Sequence, residues 1–151
     1  MSDCQSRATW EQHMNAEQES ITEPDAELIA LGSRLEGLLQ DYFAAHLEWA
    51  PGLDDAASAR MWALDDERNP IAEKIMSLPV ASIAGLRAKV LVMLWEALPI
   101  WSNVGRLQFN PDDGGASEAL FRAAAELTGL GLMVRDMEAR LAAVVATIAA
   151  A

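Results

Sequence analysis

The sequence predicts an all-α fold, an antiparallel bundle of four or five helices behind a flexible acidic tail. Three observations carry this expectation. Apolar residues recur at alternating spacings of three and four in three separate stretches, which places them on one helix face. The longest apolar segment, residues 78–98, has six uninterrupted apolar residues from Val90 to Trp95. Proline and glycine punctuate the chain between these stretches, at Pro51-Gly52, at Pro79 and across Pro111-Asp112-Asp113-Gly114-Gly115. Seams of this kind need mutual cover, and a bundle supplies it.

Residues 1–24 are polar and lack a sustained period, so they read as a mobile tail. Residues 25–151 read as a single helical-bundle domain. A chain of 151 residues can bury roughly 70% of its unfolded surface and needs no disulfide or metal to fold. Asp25 follows Pro24 and is placed to cap the first helix. Leu28, Leu31, Leu35, Leu38, Tyr42, Ala45 and Trp49 then run 3-4-3-4-3-4, and Leu39, Phe43 and Leu47 widen the seam. The helix should end at Pro51-Gly52.

A second helix is expected from Asp54 or Asp55. Ala57, Met61, Leu64, Ile71, Ile75 and Leu78 hold one heptad phase, with Arg68 in the gap. Pro70 falls inside it, and proline lacks the N–H that a helix interior uses. Either the helix kinks there or Asn69 caps a fresh short helix with Pro70 at its first position. The second reading is favoured, and Asp65-Asp66-Glu67-Arg68 then reads as a solvated turn.

The central segment follows. Pro79 closes what precedes it, and Ser82 is a good N-cap. Ile83, Leu86, Val90, Met93 and Ala97 form one face, while Leu91, Leu94, Trp95 and Leu98 cover much of the rest. A helix apolar nearly all round belongs at a domain centre. Lys89 and Glu96, seven apart, define a narrow polar stripe towards water, and Pro99 ends the helix.

The connection 99–115 carries Ile100, Trp101, Val104, Leu107 and Phe109, too many apolar residues for a solvated loop. It should lie against the bundle and is a candidate contact region. Leu120, Ala123, Leu127, Leu130, Val134, Met137, Leu141, Val144 and Ile148 then keep one phase across Gly129 and Gly131. The unbroken phase predicts one long helix from about Ala116, bent at the glycines.

Pro79, Gly85 and Leu86, with Ser82 and Lys89, stand in a stretch that resembles the P-A-T-T-L-A-G-L-x-x-K segment of uncharacterised short helical proteins of alphaproteobacteria. The resemblance covers about a dozen residues and departs from the commonest letters at Val80, Ala81 and Ser82. It implies a helical fold and a bacterial cytoplasmic protein. It carries no catalytic residue, cofactor or partner.

The net charge of −12 is uneven: residues 1–67 hold 15 acidic and 3 basic residues, and residues 68–151 hold 8 of each. An acidic half argues against direct nucleic-acid binding, which needs Lys and Arg at the phosphates. It serves solubility, faces a basic partner, or mimics nucleic acid towards a DNA-binding protein. The single cysteine, Cys4, fits a reducing compartment. The first twenty residues have no apolar leader, and the segments 78–98 and 141–151 do not make a membrane span. A cytoplasmic location without membrane contact is expected.

Chemistry-bearing patterns are sparse. His13 and His46 form no His-x-x-x-His or Glu-x-x-His pair, so zinc and di-iron spacings are missing. Asp54-Asp55 is best read as a helix start. Gly129-Leu130-Gly131 and Gly114-Gly115 lack the context of a phosphate loop. No catalytic constellation and no cofactor is therefore expected. Arg87 leans towards protein if Lys89 faces water. It then pairs with a carboxylate such as Glu36 or Asp41, or else extends outward along its own stem. Trp49, Trp62, Trp95 and Trp101 lie near element ends and can line an aromatic pocket for a flat ligand, though such residues are ordinarily core pieces.

Three functional expectations result. The leading one is a non-enzymatic interaction protein that self-associates or binds a protein partner through its apolar C-terminal helix, around Leu141 and Val144. The second is a small-molecule binding module at the tryptophans. The third is an acidic nucleic-acid mimic.

Overall fold

A computed structural model describes residues 25–52, 54–98 and 107–150. The expected tail at 1–24 lies outside the described residues, as do residues 99–106 with Trp101. Five α-helices occur among the described residues: α1 Ala26–Gly52, α2 Asp55–Ser77, α3 Ile83–Ala97, α4 Ala116–Leu127 and α5 Gly131–Ala149. A 3-10 turn, Pro111–Asp113, precedes α4. The fold is the expected all-α helical bundle. Helix α1 packs against α2, α3 and α5, and α3 packs in addition against α2 and α4.

The α1 seam points inward as its period requires. Leu28, Leu35, Leu39, Tyr42, Phe43 and Ala45 are all buried. In α2, Ala57, Met61, Ile71 and Ile75 answer it. Asp54 starts α2 by accepting from the N–H groups of Ala56 and Ala57 at 2.8 and 3.3 Å. Three exposed ion pairs lace the two helices: Glu27 with Lys74, Arg34 with Glu67 and Glu48 with Arg60. Early residues of α1 meet late residues of α2, so the pair is antiparallel. Such surface pairs add little stability but agree on one register. Helix α3 crosses α1 closely at Gly32: a Cβ there would stand 2.9 Å from the Ala88 Cβ.

Helix α2 continues through Pro70 instead of restarting there, which corrects the favoured reading and the solvated turn at 65–68. The carbonyl that Pro70 leaves without an N–H partner belongs to Asp66, and both residues are exposed. Water can satisfy that carbonyl, so the helix survives the proline.

The long C-terminal helix is two helices. Gly129 adopts φ +76°. The Leu130 N–H donates to the Ala125 carbonyl at 2.8 Å and the Gly129 N–H to the Glu126 carbonyl at 3.2 Å. This is a Schellman stop, completed by the buried Leu130 that follows the glycine. Phase survives the turn, but the face does not. Leu120 and Leu127 of α4 are 68% and 61% exposed, whereas Val134, Met137 and Leu141 of α5 are buried.

Helix α3 is covered over most of its circumference, as expected of a central helix. Val90 and Ala97 of its first apolar face are buried, as are Leu91, Leu94, Trp95 and Leu98, while Ile83 and Met93 of that face are exposed. Lys89 and Glu96 reach the surface as the expected polar stripe, and each finds a partner there. The Lys89 amine donates to the Met76 carbonyl at 3.2 Å, in the last turn of α2, and Glu96 pairs with Arg68.

Candidate functional site

Four places in the bundle gather polar or exposed apolar groups. The first is the junction where α1, α2 and α3 meet. Asp25, with φ +72°, does not cap its own helix through its side chain. Its carboxylate accepts from the N–H groups of Ala81 and Ser82 and from the Ser82 hydroxyl, the last two at 2.7 Å. Ser82 in turn caps α3 by accepting from the Gly85 N–H at 3.0 Å. Gly85 is required because a Cβ there would collide with the Asp25 carboxyl. The Ser82 hydroxyl, then the Ala81 N–H, hold the Asp25 carboxyl below its usual pKa. Ser82, Gly85 and Lys89 thus act in helix capping and close packing, and this stretch is a structural joint.

Arg87 completes the joint. It donates to Glu36 at 2.9 Å and to the Thr128 carbonyl, at the end of α4, at 3.1 Å. Of the two readings of Arg87, the inward pair with Glu36 is the one formed. A cation on the carbonyl end of a helix also suits its dipole.

The second place is a cleft of about 240 Å³ between α2 and α3, walled by Tyr42, Trp62, Asp65, Asp66, Arg68, Asn69, Trp95 and Glu96. The Trp95 indole N–H donates to Asp65 at 2.9 Å. The buried Arg68 lies 5.6 Å from the centre of the Trp95 ring and pairs with Glu96 at the surface. Burial raises the Asp65 carboxyl and pushes the Tyr42 hydroxyl up to about 12. Trp62, 58% exposed, forms the rim. Of the four tryptophans, the cleft brings together Trp62 and Trp95. Trp49 lies apart, 6.0 Å from His46, and Trp101 is outside the described residues. Sequence reading missed the Asp65–Trp95 bond and the burial of Arg68. The one available signal was that Arg68 fills an inward heptad position.

The third place is a groove of about 370 Å³ between α1 and α5, floored by Leu39, Phe43, Met133 and Met137. The Arg140 guanidinium covers the Phe43 ring at 5.1 Å. Further along α5, Leu141 is 4% exposed and Val144 is half-buried. Leu141 is a core residue, so the expected contact surface at Leu141 and Val144 is corrected: its inner half serves the fold.

The fourth place is the outer face of α4. Its inner side packs Phe121, Ala125 and Thr128. Its outer side presents Ala116, Ala119, Leu120, Ala123 and Leu127, all exposed, with Glu126 as the one charged residue among them. Glu126 pairs with Arg135 of α5. Leu132, at the start of α5, is 77% exposed. An amphipathic helix normally turns its polar side to water. In α4 the charged residues Glu118 and Arg122, each over 40% exposed at the side chain, lie to one flank, where they pair with each other and with Glu138 of α5. Besides its buried side, the helix therefore exposes a second apolar side next to this charged flank.

No protein-family model, curated protein or solved structure matches this chain. The fold and these surfaces define an all-α bundle that exposes an apolar helix face at α4. Among the described residues, no helix is long and apolar enough to cross a membrane.

Proposed function

We propose that this chain is a non-enzymatic helical interaction protein that works through the outer face of α4. The observation that supports this is the exposure of Leu120 and Leu127 on a helix side with almost no charge. Contiguous apolar surface of this kind marks sites of protein contact. The reading keeps the sequence-based expectation of a protein partner or self-association but moves its location from Leu141 and Val144 to α4. The test is capture from cell extract on immobilised full chain and on an L120E/L127E variant. Capture of a defined protein by the first and not the second supports the reading. Equal capture by both, or neither capture nor self-association by the full chain, removes it.

A second reading, small-molecule binding, is supported by the cleft that joins Trp62 and Trp95. Its test is a ligand screen read by tryptophan fluorescence, with W62F as control. A hit whose signal is unchanged in W62F would sink it.

A further inference from the structure

We infer that the partner of the α4 outer face is a second copy of this chain, packed antiparallel about a two-fold axis beside Ala123. The inference rests on the α4 reading above and names its occupant.

The face is complementary to itself. Leu120 and Leu127 are seven residues apart, about 10 Å along the helix at 1.5 Å per residue. Ala123 stands midway between them on the same side. In an antiparallel pair, Leu120 of one copy meets Leu127 of the other, and the two Ala123 residues lie next to the axis. A two-fold interface requires this reciprocity, because each residue must find its counterpart in the same patch. The small central residue lets the helix axes approach to about 8 Å, the close end of helix packing.

Charge selects the same face. The chain carries −12, and all of it resides in residues 1–67. Two copies that met through α1 or α2 would set like charges against each other. Helix α4 lies in the half with no net charge, and its outer face carries one carboxylate that is already paired with Arg135. Covering this face strands no unpaired charge. The acidic segment 1–24 is a poor alternative occupant, because it lacks the apolar period that a helix face would read. A 12-residue helix face is smaller than the roughly 800 Å² per partner of a stable complex. The pair is therefore concentration-dependent.

The experiment uses full-length protein in a Cys4→Ser background. Light scattering after size exclusion is run over a wide concentration range for the parent and for Leu120→Glu. The expected result is a monomer–dimer equilibrium whose dissociation constant rises about 100-fold or more in Leu120→Glu, with unchanged helical circular dichroism because Leu120 is exposed. Ala123→Cys should form a disulfide-linked dimer on mild oxidation, and Ala139→Cys, exposed on α5, should not. A monomer at every concentration, or equal cross-linking at both positions, overturns the dimer. If a different protein is nevertheless captured in a Leu120- and Leu127-dependent way, the α4 reading stands while the second copy falls. If nothing is captured, both fall.

Discussion

Arg87 of α3 and Glu36 of α1 meet at 2.9 Å, and the same guanidinium reaches the carbonyl of Thr128, the residue that caps the C-terminus of α4. One side chain thereby ties three helices together. Both partners are about 70% buried at the side chain. Removing Arg87 strands a half-buried carboxylate and a helix-end carbonyl. Arg87→Met should destabilise the fold by about 1–2 kcal/mol, read from urea denaturation. Adding Glu36→Met should recover part of that loss. Strict additivity of the two changes would show that they do not act as a pair.

Asp25 and Gly85 form a second linked pair. Asp25→Ala removes the staple on the Ala81 and Ser82 N–H groups, and Gly85→Ala displaces the same carboxylate with a methyl group. Each should lower the melting temperature, and the double variant should be little worse than either single one. The Asp25 carboxyl has a lowered folded pKa, so its contribution is complete above about 3.8 and is lost as pH falls through the folded value. In Asp25→Ala, that part of the acid sensitivity disappears.

His46 is buried between Tyr42 and Trp49, and its Nδ1 has no hydrogen-bond partner among the described residues. Burial lowers its pKa. The unfolded chain therefore takes up a proton near pH 6.5 that the folded chain refuses. Stability is full above 6.5 and declines below it, by up to about 1.4 kcal/mol per pH unit, until the folded group titrates. Chemical denaturation between pH 7.5 and 5 should show the decline, and His46→Phe should flatten it. An identical slope in both proteins would exclude His46 as the source.

The stop between α4 and α5 depends on Gly129 at φ +76°. Gly129→Ala places a Cβ in a left-handed conformation and should cost about 1–2 kcal/mol. A stabilised Gly129→Ala protein would instead favour one continuous helix across 116–149.

Leu141 and Leu120 occupy the same predicted seam but should behave in opposite ways. Leu141→Ala empties a core position and should cost about 2–5 kcal/mol. Leu120→Ala, at 68% exposure, should stay within about 0.5 kcal/mol for the monomer. Melting curves at low protein concentration separate the two.

The fold was legible because it rests on local period and local caps. Leu28 to Trp49 needed only a helix to share a face, and Ser82 and Asp54 needed only their own next turn. The candidate surfaces were less legible. Trp62 and Trp95 stand 33 positions apart, and nothing in their spacing tells that they share a cleft while Trp49 does not. Asp25 looked like the cap of its own helix because a short carboxylate before a helix ordinarily is one. Its actual targets lie 56 and 57 residues away.

Heptad phase, turn residues and charge placement by themselves determined an all-α bundle, the limits of α1 and α3 and the confinement of net charge to the first half. Tertiary packing alone decided that Pro70 stays inside α2, that Arg87 chooses Glu36, and that the C-terminal seam is inner in α5 but outer in α4. The physical reason lies at Gly129. A helix period records which residues share a side, but not which side the bundle covers. One left-handed residue keeps the count and changes the direction.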